Sequence, residues 1–289
     1  PDGRNMWQVG PDRRTDYFGT VWRMDFKPVH VETPALVEPS LADYSFPDIS
    51  QFATSDWKAR VAEFVSHNSD RFVVIYTGFG LFERSWMLRG FQNALTDAAL
   101  EPGFYGKLLE AIAEEHILPL LDELLKLPVD GIMFGDDWGD QRGVILGPDR
   151  WRQLLKPLYR KLYRKVKDAG KVALNHVCGS VMDIVPDLVD IGLDVLESVQ
   201  VEARDMDPYK LKVEFGADLA FWGGLGSQSI IPFGSSDELR SEIRKLTSDM
   251  SSGGGYILSC SKALQQGTPV ENAAAILEEF VLAGENLSD

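Results

Sequence analysis

Residues 131–179 read GIMFGDDWGDQRGVILGPDRWRQLLKPLYRKLYRKVKDAGKVALNHVCG. Two short apolar runs flank a long amphipathic segment, which begins near Pro148 and stops at Gly170. Proline suits the first turn of a helix and glycine suits the residue after its last turn. The stretch therefore predicts a strand, a helix and a second strand in succession, the repeating unit of a parallel sheet.

The same alternation continues through most of the chain. Strands are predicted at Phe72–Gly78, Gly131–Asp136, Lys171–His176, Val195–Gln200, Leu219–Gly224 and Tyr256–Cys260. No GxGxxG turn follows any of them, and no linker divides them, so the pattern favours a (β/α)8 TIM barrel over an open dinucleotide-binding sheet. Six strands are fewer than eight, and we expect the others in the N-terminal arm or upstream of residue 1.

The N-terminal 47 residues differ from the rest. They are rich in proline, aromatic and polar residues without sustained periodicity. We expect residues 1–47 to form an irregular arm on a barrel that spans 48–289. The first residues are Pro-Asp-Gly rather than Met, which suggests a truncated N-terminus. Further along, Pro119 should kink or divide the helix predicted between Pro102 and Leu127.

Composition narrows the functional classes. The chain has 289 residues with 29 Lys+Arg against 44 Asp+Glu, a formal net charge of −15, which argues against nucleic acid and anionic membranes as partners. No apolar run approaches the roughly 18 residues of a membrane span, and no signal peptide begins the chain. We expect a soluble, cytoplasmic protein. Its two cysteines do not make a disulfide framework.

Polar and sulfur-bearing residues stand where the predicted strands end, which is where a parallel barrel carries its active site. These residues are Asp136, Asp137, Trp138, Asn175, His176, Cys178, Gln200 and Cys260.

His176 and Cys178 are separated by one residue, so on an extended strand they face the same side. Imidazole and thiolate are both zinc ligands, and Cys260 ends another strand that a barrel would bring near them. Three protein ligands would leave one tetrahedral position open for a reactant. The alternative is that these cysteines and this histidine are ordinary buried residues.

Other candidates carry less specific signals. Asp136 or Asp137 would take a substrate proton or orient a ligand, the alternative being a helix cap. Trp138 would supply an apolar wall, and Gln200 a hydrogen bond to the substrate or behind the metal ligands. Arg84, with its neighbours Glu83 and Arg89, either contacts an anionic substrate or makes internal ion pairs.

From about residue 43 onward the sequence resembles the uroporphyrinogen decarboxylase superfamily, which also includes zinc- and corrinoid-linked methyltransferases. The segments that carry the resemblance are GDDWG at 135–139, GPDRW at 147–151, NHVCGS at 175–180, IVPDLVDIGLDVL at 184–196, MDP at 206–208, FWGGL at 221–225, GGYILSC at 254–260 and TPVEN at 268–272. The resemblance implies a (β/α)8 barrel.

The methyltransferase branch binds zinc through His-x-Cys and a distant Cys, a motif that His176, Cys178 and Cys260 match. The arginine-rich substrate motif of the decarboxylase is not found in residues 1–289. The resemblance thus implies methyl transfer between a small substrate, such as a methyl ether, methylamine or thiol, and the cobalt of a corrinoid. No Asp-x-His-x-x-Gly segment for corrinoid binding occurs, so we expect the corrinoid on a partner protein.

Two alternatives stay open. One is a metal-free decarboxylase for a tetrapyrrole, in which Asp136 would hold the pyrrole N–H groups. The other is a non-catalytic barrel that binds a corrinoid or porphyrin, although an open zinc position argues against it.

Overall fold

The computed structural model describes residues 6–25 and 27–286. The chain divides into two compact units. Unit 1 comprises the residues up to Ile132 together with Asp149–Lys171, and unit 2 comprises Met133–Pro148 together with the residues from Val172 onward.

The described residues form an α/β protein. Its strands are β1 (Met6–Gly10), β2 (Arg13–Asp16), β3 (Val21–Arg23), β4 (His30–Thr33), β5 (Val74–Phe79), β6 (Gly131–Gly135), β7 (Val172–His176), β8 (Val195–Val199), β9 (Ala220–Leu225) and β10 (Tyr256–Cys260). Its α-helices are α1 (Ser55–His67), α2 (Leu81–Arg89), α3 (Phe91–Leu100), α4 (Pro102–Ile112), α5 (Leu118–Leu124), α6 (Pro148–Leu154), α7 (Lys156–Asp168), α8 (Val185–Asp190), α9 (Pro208–Phe215), α10 (Ile230–Phe233), α11 (Ser236–Ser251) and α12 (Val270–Asn286). Among these helices, none is both long and apolar enough to cross a membrane.

The predicted sheet is confirmed. Its six strands lie in the order β10-β9-β8-β7-β6-β5, and β7 to β10 pair in parallel. All six strands were predicted, with bounds that differ by at most two residues at either end. In the described part of the chain the sheet has six strands rather than the eight of a closed barrel.

The N-terminal arm is more regular than predicted. The strands β1 to β4 form a separate antiparallel sheet in chain order, so they do not supply the missing barrel strands. Each has only three to five residues, and most of these are at least partly exposed. Strands this short and this open lack the alternation of apolar and polar residues by which a sequence reveals them. The domain boundary at residue 47 stays a prediction.

The predicted break at Pro119 is confirmed. The α4 helix gives way to a π-helical turn at Ala113–Ile117, and α5 begins at Leu118. Proline has no N–H for the helical ladder and its ring clashes with the preceding turn, so the backbone widens just before it.

A buried ion pair ties the arm to the helices of unit 1. Arg89, at the end of α2, donates from Nε to Asp97 of α3 at 2.7 Å, and both side chains are less than a tenth exposed. The Nη1 of Arg89 also donates to the backbone carbonyls of Leu36 and Val37. Of the two alternatives for Arg89, contact with an anionic substrate or an internal ion pair, the structure shows the second.

Replacing Arg89 by Met should lower the free energy of unfolding by about 3–5 kcal/mol, because it leaves the Asp97 carboxylate buried without a partner. The measurement is urea denaturation. Arg60→Met is the matched control, since Arg60 pairs with Asp56 on the exposed face of α1 and should change nothing measurable. Equal stabilities of the two variants would contradict the prediction.

Candidate functional site

The site lies in unit 2, on the loops that leave β6 and β7. The backbone N–H of Asp136 donates to the carbonyl of His176 at 3.0 Å, which aligns the ends of the two strands. Beyond this point the chain turns out of the sheet, and Asp137 and Cys178 come to face each other. The backbone N–H of Cys178 donates to Oδ1 of Asp137 at 2.7 Å.

Three potential metal ligands meet at this place. The Nε2 atom of His176 lies 3.5 Å from Sγ of Cys178 and 3.5 Å from Oδ1 of Asp137. One ligand atom from each residue lies within 4.8 Å of the others, and all three side chains are partly exposed. Nitrogen, sulfur and carboxylate oxygen are the ligand types that zinc accepts in proteins, so the donor set fits zinc.

Glu197 fixes the His176 ring by a hydrogen bond to Nδ1, the nitrogen that faces away from the other potential ligands. It stands on β8 directly opposite His176 in the parallel register, and its Oε2 accepts a hydrogen bond from Nδ1 of His176. This bond leaves Nε2 directed at Cys178 and Asp137. A carboxylate behind a ligating imidazole is the usual way in which proteins fix the ring and its tautomer.

The surroundings shift the pKa values of two site residues. Burial disfavours the charged form of His176, but hydrogen bonds to Cys178 and Glu197 outweigh it and raise the pKa of His176 to about 10. Burial raises the pKa of the Cys260 thiol, since a thiolate is poorly solvated there.

Two glycines bring the loops into backbone contact. A Cβ atom on Gly139 would lie 2.7 Å from the carbonyl oxygen of Ser180, and one on Gly179 would lie 2.5 Å from the carbonyl carbon of Gly139. Gly179 also has a φ of +79°, which disfavours any other residue. The close approach keeps Asp137 beside Cys178.

Several predicted site residues hold the two loops in position. Asp136 is fully buried, and its Oδ2 accepts a hydrogen bond from Nε1 of the buried Trp138 at 2.8 Å. Gln200 is also buried and accepts from the N–H of Gly179 at 2.9 Å, next to Cys178. These contacts position the two loops, and only Asp137 of the acidic pair joins the potential ligands.

Cys260 ends β10 as predicted, but it is not one of the three clustered residues. It pairs in register with Leu225 of β9, while His176 lies on β7. Among the described residues, the third member of the cluster is Asp137. Arg84 belongs to unit 1, on α2, where its Nη1 lies 4.0 Å from Oδ2 of Asp16.

Glu197 was not among the residues predicted for the site. The sequence nonetheless contains a feature that could have identified it, because the run Val-Leu-Glu-Ser-Val at 195–199 places one charged residue in a mainly apolar strand. A carboxylate inside a central strand needs a partner, and the neighbouring strand offers His176.

Comparisons with known proteins agree with this fold. The sequence profile described as Uroporphyrinogen decarboxylase (URO-D) matches residues 79–280. A solved structure named "methyltransferase from Methanosarcina mazei" is 20% identical, with a TM-score of 0.69, over 91% of this chain and 75% of that chain. At this identity the likeness shows a shared fold.

A second structure, named "Native KDPGal structure", is 13% identical over 73% of this chain and 95% of that chain. Its TM-score of 0.30 is too low to support an argument. No curated protein matches the sequence. Since the family profile spans more than half of the residues, the chain belongs to the uroporphyrinogen decarboxylase (URO-D) family.

Proposed function

We propose that this protein is a zinc-dependent methyltransferase that moves a methyl group between a small substrate and the cobalt of a corrinoid on a partner protein. The observation that carries the proposal is the meeting of Asp137, His176 and Cys178, with Glu197 behind the histidine. The Methanosarcina mazei structure of the same fold is named a methyltransferase, which supports the same reaction class.

The protein's own groups account for the metal site. His176 would bind zinc through Nε2 because Glu197 holds Nδ1, and Cys178 would bind as thiolate. Either Asp137 or, as the family resemblance implies, Cys260 would be the third ligand. When bound, zinc supplies a Lewis acid that stabilises the anionic oxygen, nitrogen or sulfur from which the methyl group leaves or to which it is added.

The remaining residues would act on the substrate. The substrate is a methyl ether, a methylamine or a thiol, and it would enter beside the metal ligands. Asp136 or Asp137 would orient it or take its proton, while Trp138 and Gln200 would shape its site. Among these, Asp137 is the best placed for direct contact, because its carboxylate is partly exposed while Asp136 is buried.

The corrinoid would come from outside the chain. Its sequence has no Asp-x-His-x-x-Gly segment of the kind that binds a corrinoid. The proposed partner is a separate corrinoid protein, which would present its cobalt to the metal site.

Zinc content tests whether His176 and Cys178 bind the metal. The wild-type protein should bind one zinc ion, and His176→Ala and Cys178→Ser should each lose most of it. The measurement is elemental analysis after dialysis against a weak chelator. His67→Ala, on α1, is the control and should retain zinc. Wild-type zinc content in both ligand variants would remove the metal from the proposal.

The third ligand can be identified with cobalt(II) in place of zinc. Thiolate-to-cobalt charge-transfer absorption reports the number of bound sulfurs. If Asp137 is the ligand, Asp137→Asn should lower metal affinity and Cys260→Ser should leave the absorption unchanged. If Cys260 is the ligand, Cys260→Ser should remove about half of the absorption, and the cluster seen here would need to rearrange.

Replacing Glu197 by Gln should weaken zinc binding by roughly 10–100-fold, because the amide no longer holds His176 with a charged hydrogen bond. Competition with a chelator of known affinity gives the value. Glu214→Gln, an exposed position on α9, is the control. An unchanged zinc affinity in Glu197→Gln would show that the carboxylate does not support the metal site.

Activity separates methyl transfer from decarboxylation. Zinc-loaded protein should demethylate methylcobalamin in the presence of thiols, or methylate Co(I) cobalamin from methyl ethers or methylamines, faster than the Cys178→Ser variant. Cobalamin absorption follows both directions. Failure with all three substrate classes, together with loss of carboxyl groups from uroporphyrinogen, would favour the decarboxylase instead.

A further inference from the structure

Unit 1 contains a cavity of about 200 Å³ between the arm and the helices. Its walls are mainly apolar and aromatic. They include Tyr17, Phe18, Trp22, Phe52, Phe79 and Met87. Cavities for drug-sized ligands measure about 300–1,000 Å³, and one of about 150 Å³ can hold benzene, so this cavity has room for a single ring with a small substituent.

A guanidinium group enters this apolar cavity. Arg84 is only 11% exposed, and its guanidinium stacks 3.7 Å above the centre of the Phe18 ring. Its donors point outward in the plane of the group, so the Phe18 ring covers a face and accepts no hydrogen bond from the edge. The Nε of Arg84 is buried and has no hydrogen-bond acceptor. This atom forms half of the fork with which arginine grips a carboxylate.

The nearby carboxylate does not fill that role. Asp16 also lines the cavity and forms an ion pair with Arg84, but the 4.0 Å between its Oδ2 and Nη1 of Arg84 is beyond hydrogen-bond distance. Its Oδ1 accepts from the N–H groups of Phe18 and Thr20, and its Oδ2 accepts from the indole of Trp22 at 2.9 Å. Asp16 therefore satisfies the arm's own donors, and it leaves the Nε edge of Arg84 unpaired.

A second buried polar atom lines the same cavity. His116 is 6% exposed, and its ring packs edge-on against Phe18 and Phe52. Its Nδ1 is buried without a hydrogen-bond partner. The residue lies on the π-helical turn ahead of Pro119, a kind of turn that is frequent at functional sites. Burial and the charge of Arg84 lower the pKa of His116 to about 3, so the ring is neutral at neutral pH.

We propose that this cavity binds a small aromatic carboxylate, with its carboxylate on the edge of Arg84, its ring among the aromatic side chains and a polar substituent at Nδ1 of His116. The two unpaired buried atoms and the ring-sized volume support this class of ligand. The inference does not depend on the proposed methyl transfer, because it uses no residue of the metal cluster.

The test is calorimetric titration of the full chain with benzoate, its three monohydroxy isomers, benzamide and acetate. Benzoate should bind in a 1:1 ratio, and one hydroxy isomer should bind more tightly. Benzamide lacks the charge and acetate lacks the ring, so each should bind at least tenfold more weakly. No saturation by any aromatic carboxylate below about 10 mM would overturn the proposal, as would equal binding of acetate.

Variants assign the binding to this cavity. Arg84→Met keeps most of the side-chain volume and should weaken benzoate binding at least tenfold, whereas Arg60→Met on exposed α1 should not. If Arg84→Met does not fold, Phe52→Trp, which fills the cavity and keeps the charge, should abolish binding. Unchanged benzoate affinity in a folded variant would overturn the proposal. Zinc content measured on the same samples separates this result from a failure of the metal site.

Discussion

The register between β7 and β8 places His176 directly opposite Glu197, and the candidate metal centre depends on that pairing. In a parallel sheet a shift of one residue would turn one of the two side chains to the other face. With the register as observed, the carboxylate takes one ring nitrogen and directs the other at Cys178 and Asp137. The sheet thus fixes the orientation of the His176 ring, and the loops add the other two potential ligands.

The sheet strands were predictable because each is an apolar run bounded by turn residues and followed by a polar end. The proximity of His176 and Cys178 was also predictable from their spacing of two, although Cys178 lies on the loop just beyond β7 and not on the strand itself. The place of Asp137 in the cluster was not predictable, because it depends on how tightly two loops approach after leaving their strands. Likewise, the antiparallel sheet of the arm is too short and too exposed to leave a pattern.

Two arginines of α2 show that residue type alone does not determine the role of a buried charge. Arg84 and Arg89 lie five positions apart and are both largely buried. Arg89 has a carboxylate and two carbonyls as partners, so it joins elements of the fold. The guanidinium of Arg84 stacks on the Phe18 ring, and its Nε has no hydrogen-bond acceptor, which is an arrangement suited to a ligand. Only the three-dimensional contacts distinguish these roles.

The backbone contact between Gly139 and Gly179 has a consequence for how relatives of this protein can diversify. Two main chains that touch without intervening side chains cannot accept an inserted residue in one loop unless the other moves as well. The segments that carry Asp137 and Cys178 should therefore change together or not at all during evolution. New substrate preferences would then arise through other loops, while this pair of turns is inherited as one conserved block.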